Sequence, residues 1–292
     1  MTDPIRIAND RLSAVIDPFG AELVSLRDAA GAELMTDADP AFWPKHAPIL
    51  FPVIGVTAGG TIRVDGIDYP ITKHGFARDL PFEVIDRGNG HVVFALVDSE
   101  RTRAAWPFAF RLEIGFRLDA ATLTIEARVL NPAAVPLYAQ FGFHPAFAWP
   151  LPFGQARGDH RIVFDHDEPG RLRAITPDGL ISEATNDGPL DGRTLHLADT
   201  LFEHDALVWD PVASDAVIYG AATGPRLRVG FPDTPALGIW TKPGAAFVCI
   251  EPWHGIADPV GFAGEFRDKP GVFAVAPHAD KRIAMTITLL DG

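Results

Sequence analysis

Hydrophobic and polar residues alternate along much of this chain with the two-residue period of a β-strand, and helical periodicity is rare. The clearest run, 108–118, places phenylalanines, leucines and an isoleucine on one face and Arg111, Glu113 and Arg117 on the other. After a short turn, the segment 123–129 repeats the pattern. Two consecutive strands with one apolar and one polar face are typical of an antiparallel sheet that is solvated on one side.

Further strands are predicted elsewhere, and a hairpin is favoured where Asp17-Pro18-Phe19-Gly20 joins two of them. The additional strand segments are 12–16, 21–26, 91–97 and 283–289. Short helices are predicted at 39–46 and 99–106, and the stretch 151–199 is rich in loop residues without the composition of a linker. The chain therefore predicts an all-β fold, a single large antiparallel β-sandwich domain over residues 1–292 with few short helices.

Charge and cysteine content exclude several classes of function but do not identify one. The 292 residues carry a formal net charge of −13, which argues against a nucleic-acid partner or an anionic membrane surface. Neither a secretory signal nor an apolar run of about 18 residues is evident. The only cysteine excludes a disulfide framework and any cysteine-based zinc site, so a reducing, cytoplasmic location is expected.

A carboxylate after an apolar run is the first candidate for chemistry. The segment 245–250 is apolar and is followed by Glu251 and then Pro252, which cannot donate to a sheet ladder. This order predicts a buried strand that presents Glu251 at its end, where burial would tune the pKa of a general base. The alternative is a structural glutamate that caps a loop or pairs with an arginine.

Two histidines and an acidic cluster are further candidates. His74 precedes a glycine, where the backbone can turn sharply, and His144 lies in an aromatic run that could form the floor of a sugar site. Each could equally be a hydrogen-bonded structural histidine. Arg78 could bind a substrate oxygen or hold a carboxylate, and Asp205 lies in a loop that could be merely solvated.

Several common kinds of site are missing from the sequence. It has no glycine-rich phosphate loop, no His-Glu-x-x-His pair and no Gly-x-Ser-x-Gly elbow. His160 and His166 match no common zinc spacing. The sequence thus implies neither a metal nor another cofactor.

Five short segments, taken in order, resemble the galactose mutarotase (aldose 1-epimerase) family. They are 48–55 (PILFPVIG), 74–78 (HGFAR), 142–147 (GFHPAF), 201–207 (LFEHDAL) and 251–253 (EPW). Each is weak alone, but their common order over most of the chain is fairly specific. The resemblance implies a β-sandwich with an open carbohydrate cleft and a small-molecule sugar as partner.

The resemblance also implies roles for individual residues. It assigns Glu251 as the catalytic base, His144 as the catalytic acid, His74 as a second active-site histidine and Asp205 as a ligand of a sugar hydroxyl. Arg78 and Trp253 are further candidates for substrate contact, whereas Trp240 is expected in the core. These assignments predict one hexose-sized gap, about 5–8 Å, among the side chains of Glu251 and the two histidines.

One family feature cannot be placed. True galactose mutarotases carry an early arginine that contacts sugar hydroxyls, and only Lys45, His46 and Arg63 are candidates here. The longer glycine-rich version of the segment around His74 is also missing. These departures leave the identity of the sugar open more than the chemistry.

The favoured hypothesis is a mutarotase that interconverts the anomers of a free aldose by general acid–base ring opening, which needs one acid and one base and no cofactor. A hexose-6-phosphate 1-epimerase would need two or three cations, for which Lys45, Arg63, Lys73 and Arg78 are candidates. A non-catalytic carbohydrate-binding protein would keep the cleft alone. A glycosidase would need a second carboxylic acid, Asp205 or Asp258. Monomer and homodimer both remain open.

Overall fold

The computed structural model describes residues 3–292, and most of its regular structure is β-strand. In chain order the strands are β1 Ile5–Ala8, β2 Leu12–Asp17, β3 Glu22–Asp28, β4 Ile49–Leu50, β5 Thr61–Val64, β6 Ile67–Pro70, β7 Glu83–Arg87, β8 His91–Val97, β9 Arg111–Asp119, β10 Thr122–Leu130, β11 Leu137–Ala139, β12 Phe141–Phe143, β13 Ala146–Ala148, β14 Arg161–Phe164, β15 Arg171–Ile175, β16 Ile181–Asp187, β17 Thr194–His196, β18 Leu207–Trp209, β19 Ala216–Gly220, β20 Arg226–Gly230, β21 Ala236–Trp240, β22 Phe247–His254, β23 Phe273–Val275 and β24 Asp280–Leu290.

Helical structure is confined to short pieces. One four-residue α-helix, α1, spans Glu100–Arg103. The 3₁₀ turns are Ala58–Gly60, Ala77–Asp79, Arg157–Asp159, Asp199–Phe202 and Phe266–Asp268. Within residues 3–292, none of these helices has the length and apolar character that crossing a membrane requires.

Two large antiparallel sheets form the body of the protein. The first has the strand order β17-β14-β19-β20-β24-β10-β9-β8-β7, and the second has the order β16-β15-β18-β21-β22-β12-β4, with β13 also paired to β22. Smaller sheets are formed by β1-β2-β3, β5-β6 and β11-β23. This architecture confirms the predicted all-β, antiparallel sandwich with few short helices.

A continuous apolar core lies between the two large sheets. The inward residues Ile114 on β9 and Ile125 on β10 belong to the same buried cluster as Phe143, Val248 and Ile250 on the other sheet. Alternate positions along β9 and β10 are buried, as the sequence pattern predicts. Burial of each such side chain stabilises the fold by about 1.5–3 kcal/mol.

Near the N-terminus and around residue 100, the structure confirms the predicted hairpin and strand but not the helix predicted at 39–46. The hairpin of β2 and β3 and the strand 91–97 are confirmed, and α1 forms with Ser99 in a capping box with Thr102. The helix predicted at 39–46 is wrong, because the chain makes only one turn there before Pro44 removes a backbone donor. The stretch 151–199, predicted to be loop-rich, contains four short strands.

The position of Glu251 differs from the prediction. The structure places Glu251 inside β22 rather than at its end, because the strand continues through Pro252 to His254. Gly238 on β21 lies opposite Glu251, so pairing on that side is unbroken. The carboxylate therefore projects from the middle of a buried strand.

Pro252 is tolerated because the neighbouring strand is interrupted beside it. The Ile250 amide donates to the carbonyl of Pro145, on the side of β22 where β12 and β13 lie. Backbone N–H groups two residues apart on a strand point to the same side, so an N–H at position 252 would also face β12 and β13. On that side β12 ends at Phe143 and β13 begins at Ala146. The missing N–H of Pro252 falls at this break in the sheet, which also leaves His144 outside the ladder.

Candidate functional site

A pocket of about 470 Å³ lies on the face of the second sheet that is turned away from the sandwich core. Alternation along β22 explains its position, because Val248 and Ile250 enter the core while Glu251 and Trp253 line the pocket. The volume is within the usual range for small-molecule sites, about 300–1,000 Å³. The pocket brings together all six residues predicted for catalysis or substrate binding, which are His74, Arg78, His144, Asp205, Glu251 and Trp253.

At the base of the pocket, His144 and Glu251 are in direct contact. His144 Nε2 lies 3.1 Å from Glu251 Oε2, and their side chains are only 9% and 2% exposed. The register explains this contact, since Gly142 pairs with Trp253 and Ala146 with Cys249 on either side of it. The His144–Glu251 pair is thus a cross-strand pair at the gap between β12 and β13.

The predicted hexose-sized gap is therefore wrong for this pair. The rings of His74 and His144 are 5.9 Å apart between centroids, which lies within the expected range, but the acid and base candidates already touch. The reason is that both project from adjacent strands at the same register position rather than from opposite walls of the pocket.

Burial governs the charge of the His144–Glu251 pair. It lowers the pKa of His144 to about 3, with Arg78 and Lys73 adding to the effect. Burial also raises the pKa of Glu251 well above its ordinary value; Lys73 opposes this rise and Asp205 adds to it. Between these two shifted pKa values the pair holds one proton and is neutral overall, and both shifts favour a carboxylic acid beside a neutral imidazole.

His74 is held by the loop that it faces. Its backbone N–H donates to the Gly55 carbonyl at 2.9 Å, and the Gly55 N–H donates to Nδ1 of the imidazole at 3.1 Å. Burial, followed by His144, Arg78 and Lys73, lowers the pKa of His74 well below its usual value. A neutral ring that accepts at Nδ1 carries its proton on Nε2, so His74 is a hydrogen-bond donor.

The backbone around His74 explains why a glycine follows it. His74 has φ 66° and Gly75 has φ 74°, both in the left-handed region. A β-carbon on Gly75 would lie 2.1 Å from the carbonyl oxygen of Phe51, so only glycine fits. This turn brings the imidazole to the pocket.

Two cations line the pocket near the histidines. Arg78 donates from Nη2 to the Lys73 carbonyl at 2.7 Å, and its Nε is buried without a hydrogen-bond partner in the described part of the chain. Asp79 is 3.7 Å from that Nε, so Arg78 also lies near a carboxylate. Lys73 is exposed and makes no ion pair within residues 3–292. The unpartnered Nε agrees with a role in binding a substrate oxygen, and the nearby Asp79 agrees with a role in holding a carboxylate.

Asp205 and Trp253 lie on other parts of the pocket wall. Asp205 is exposed, with φ 83°, and its Oδ1 accepts from the Ala206 amide at 2.8 Å. Trp253 is almost fully buried, and its indole lies against Gly142 and Gly238. A β-carbon would be 2.7 Å from the indole at Gly142 and 2.5 Å from it at Gly238. The two glycines therefore leave the space that the indole fills at the pocket floor.

The aromatic rings that surround His144 differ from the aromatic run that could have formed the floor of a sugar site, because Phe141, Phe143 and Phe147 lie in the core. Trp43 stacks on the His144 imidazole, with centroids 4.8 Å apart and an interplanar angle of 24°. Trp240 was expected in the core, but it lines the pocket and meets Trp43 edge-on. No local pattern marks Trp43, because only the fold brings it to His144.

Lys242 is a third cation on the pocket wall. Its Nζ lies 3.4 Å from the carbonyl oxygens of Ala41 and Phe42.

A buried ion pair holds the loop that positions His74. Lys269 Nζ, whose side chain is fully buried, lies 2.8 Å from Asp258 Oδ1 and donates to Gln140 Oε1 at 3.1 Å. Gln140 Oε1 also accepts from the Ile54 amide, and Asp258 Oδ2 accepts from the Ala58 amide. The segment 54–58 is therefore clamped at both ends, with Gly55 between them.

The cations proposed for the unplaced family arginine lie elsewhere. Lys45 is near Glu22 and Asp79, and Arg63 pairs with Asp68 on the exposed β5–β6 hairpin. Neither these two nor His46 is among the described residues that line the pocket. Asp258, one candidate for a second glycosidase acid, is likewise outside the pocket lining.

Comparison with known proteins gives a consistent picture. The family model described as aldose 1-epimerase matches residues 3–273. The protein LacX (chromosomal) of Lactococcus lactis subsp. lactis is 28% identical over 98% of this chain and 99% of its own length. A galactose mutarotase related enzyme from Lactobacillus acidophilus superposes with a TM-score of 0.91 at 30% identity, covering 99% of this chain and 98% of that one. A galactose mutarotase-like protein from Lactobacillus casei gives 0.92 at 28% identity, covering 99% and 100%.

Replacing Lys269 with methionine tests the clamp. Lys269→Met leaves the buried carboxylate of Asp258 without its cation, which we expect to lower the free energy of unfolding by about 3–5 kcal/mol. The double variant Lys269→Met/Asp258→Asn removes both charges and should recover much of that loss. Urea denaturation measures all three proteins. A Lys269→Met protein within about 0.5 kcal/mol of the wild type would contradict the clamp.

Proposed function

We propose, since this chain belongs to the aldose 1-epimerase family, that it interconverts the α and β anomers of a free aldose in the pocket around His144 and Glu251. The family acts on carbohydrates as epimerases, and the pocket has the volume of a small-molecule site. The observation that carries the proposal is the contact of an imidazole and a carboxylate at the base of that pocket.

The direct contact is compatible with the reaction. In a pyranose, the hydroxyl oxygen O1 and the ring oxygen O5 are both bonded to C1. Groups within hydrogen-bond reach of these two oxygens, about 3 Å each, can therefore lie side by side or on opposite sides of the sugar. His144 Nε2 and Glu251 Oε2, 3.1 Å apart, can serve both oxygens from one side.

The proposed step moves two protons and breaks one bond. The Glu251 carboxylate takes the proton of the O1 hydroxyl, C1 gains a carbonyl double bond to O1, and the C1–O5 bond breaks. His144 as imidazolium gives its proton to O5. Rotation about the C1–C2 bond followed by the reverse transfers closes the other anomer, and each transfer contributes about 10²–10⁴-fold.

This step leaves the proton count of the pair unchanged. The reactive form, a carboxylate beside an imidazolium, and the form after ring opening, a carboxylic acid beside a neutral imidazole, each hold one shared proton. The lowered pKa of His144 and the raised pKa of Glu251 support one shared proton between their two values and favour the carboxylic acid form at rest. The reactive form therefore arises by transfer of that proton from Glu251 to His144 along their 3.1 Å contact. No proton needs to be exchanged with solvent during turnover.

The surrounding residues are proposed to bind the sugar. His74 donates from Nε2 to a reacting oxygen and stabilises the charge that develops on it. Asp205 accepts from a sugar hydroxyl, and Arg78 uses a guanidinium N–H that the protein leaves free. Trp253 presents an apolar surface to the sugar ring.

A second candidate, a hexose-6-phosphate 1-epimerase, rests on Lys73. This lysine lines the pocket without an ion pair among the described residues, whereas Arg78 and Lys242 already lie against backbone carbonyls. One free cation is fewer than a phosphate group usually recruits, so the free aldose remains the proposal. A non-catalytic sugar-binding protein would bind sugar without accelerating anomer exchange.

Substitution of the proposed pair tests the chemistry. We expect Glu251→Gln and His144→Gln each to lower the rate constant of anomer exchange by about 10²–10⁴-fold, because each removes one proton-transfer group. NMR exchange spectroscopy of glucose and galactose measures the rate, and circular dichroism checks folding. The control Glu203→Gln changes an exposed carboxylate outside the pocket lining and should keep the wild-type rate. Wild-type rates in folded Glu251→Gln and His144→Gln would refute the mechanism.

The shared proton predicts an unusually broad pH profile for kcat/KM. Below the pKa of His144, about 3, the pair takes up a second proton and loses its base. Above the raised pKa of Glu251 it loses its only proton and so its acid. We therefore expect an acid limb near pH 3 and an alkaline limb displaced well above the ordinary carboxyl pKa, after subtraction of the uncatalysed rate and with folding checked at each pH. A limb with an apparent pKa near 6.5 would indicate that an ordinary imidazole titrates instead.

The nature of the sugar is tested by selectivity. We expect a higher kcat/KM for glucose than for glucose 6-phosphate, and Lys73→Met should not change that ratio by more than a few-fold. Lys45→Met serves as the control, because Lys45 is a cation outside the pocket lining. A preference for glucose 6-phosphate that falls about tenfold in Lys73→Met alone would instead favour the phosphate-specific enzyme.

A further inference from the structure

Cys249 lies beside the His144–Glu251 pair on the same face of the sheet. Cys249 and Glu251 are two residues apart on β22, so their side chains project to the same side. A ring nitrogen of His144, Sγ of Cys249 and a carboxylate oxygen of Glu251 all lie within 4.8 Å of one another. All three residues are buried.

We propose that these three side chains form a binding site for a thiophilic divalent cation, with Zn²⁺ the natural candidate, and that the bound ion blocks the pocket. Thiolate, imidazole and carboxylate are the three ligand types that proteins use for zinc. Tetrahedral ligands with bonds of about 2.0–2.3 Å are separated by about 3.3–3.8 Å, so side-chain shifts of about 1 Å close the site. This proposal departs from the expectation that a single cysteine excludes any cysteine-based zinc site, because a mixed ligand set needs only one thiolate.

The fourth position of such an ion faces the pocket. His144 and Glu251 line the pocket, whereas Cys249 lies behind them in an apolar cluster with Ala146 and Phe247. Three protein ligands and one open position are the arrangement of an accessible zinc site rather than a closed structural one. The ion therefore enters from the side that the sugar uses.

Charge balance favours a divalent ion in this buried place. Burial, and then Glu251, raises the pKa of the Cys249 thiol, so the metal-free site holds the thiol proton. Binding forms one bond each from the ion to sulfur, nitrogen and oxygen and releases the thiol proton together with any proton that His144 and Glu251 share. A 2+ ion then balances the thiolate and the carboxylate in this buried site, and its affinity rises with pH.

Selectivity follows from the ligand set. A thiolate and an imidazole favour Zn²⁺, Cd²⁺ and Co²⁺ over Mg²⁺ and Ca²⁺, which prefer oxygen ligands alone. Binding itself rests only on the geometry of the three side chains. Inhibition rests in addition on the proposed function, because the ion occupies the proposed acid and base.

The test uses the full chain without added metal, titrated with Co²⁺ and Zn²⁺. We expect Co²⁺ to produce a sulfur-to-cobalt charge-transfer band in the wild type and none in Cys249→Ala. Calorimetry in buffers of different ionisation enthalpy should give release of at least one proton, that of the Cys249 thiol, per Zn²⁺. Loss of a direct ligand should weaken Zn²⁺ binding by at least about 100-fold, the upper end of what outer-shell substitutions cost.

Activity gives a separate readout. Zn²⁺ should inhibit anomer exchange competitively with sugar in the wild type, whereas Cys249→Ala should keep its metal-free activity and resist Zn²⁺. Zn²⁺ binding that leaves a measured rate of anomer exchange unchanged would refute the blocking of the pocket and the acid–base roles of His144 and Glu251, and would leave the metal site intact. If the alanine variant does not fold, Cys249→Ser and cadmium NMR of the wild type report the sulfur ligand. Equal Zn²⁺ affinity in wild type and variant, or bound Co²⁺ without the band, would overturn the site.

Discussion

The contact between the His144 imidazole and the Glu251 carboxyl group organises this protein, because burial forces two ionisable groups to share a single proton. Neither group can hold its usual charge alone in an apolar environment. The contact exists because the two residues lie opposite each other on neighbouring strands. The surrounding elements therefore keep the two strands in register, exclude water from the contact and leave the pocket side open to a ligand.

The break between β12 and β13 links the fold to the chemistry. A continuous strand beside β22 would include His144 in the ladder and would need a donor from residue 252. Pro252 supplies none, and the neighbouring strand is interrupted at the same place, between β12 and β13. His74 reaches the pocket in a similar way, through a left-handed turn whose loop partner is held by the buried Lys269–Asp258 ion pair. Irregular backbone thus occurs at both histidines.

Much of the fold could be predicted from local pattern, because one-sided burial of a strand leaves a two-residue period in its own sequence. The strand at 91–97 and the β2–β3 hairpin were predicted in this way and are confirmed. The strand-end position of Glu251 was wrong because tolerance of a proline depends on a neighbour that is more than a hundred residues away in the chain. The helix at 39–46 was wrong because the prolines within it outweigh an apparent apolar pattern.

The six candidate residues were chosen through order and resemblance rather than through spacing, and all six line the pocket. Their separations could not be predicted, since these depend on strand register. Trp43 and Lys269 carried no signal of their own, because stacking on an imidazole and pairing with a buried carboxylate are contacts between distant segments. Gln140, a polar residue between Ala139 and Phe141, is the one member of the clamp that its sequence context could have revealed.

One face of β22 packs in the sandwich core and the other face lines the pocket. Val248 and Ile250 anchor the interior of the sandwich, while Cys249 and Glu251 point the opposite way. Any repacking beneath this strand tilts its backbone and so moves a carboxyl group whose partner lies on a different strand. Substitutions of Val248 or Ile250 that stabilise the core will for that reason also shift the Glu251 carboxyl group relative to His144, whereas outward-facing changes on β9 or β10 will not.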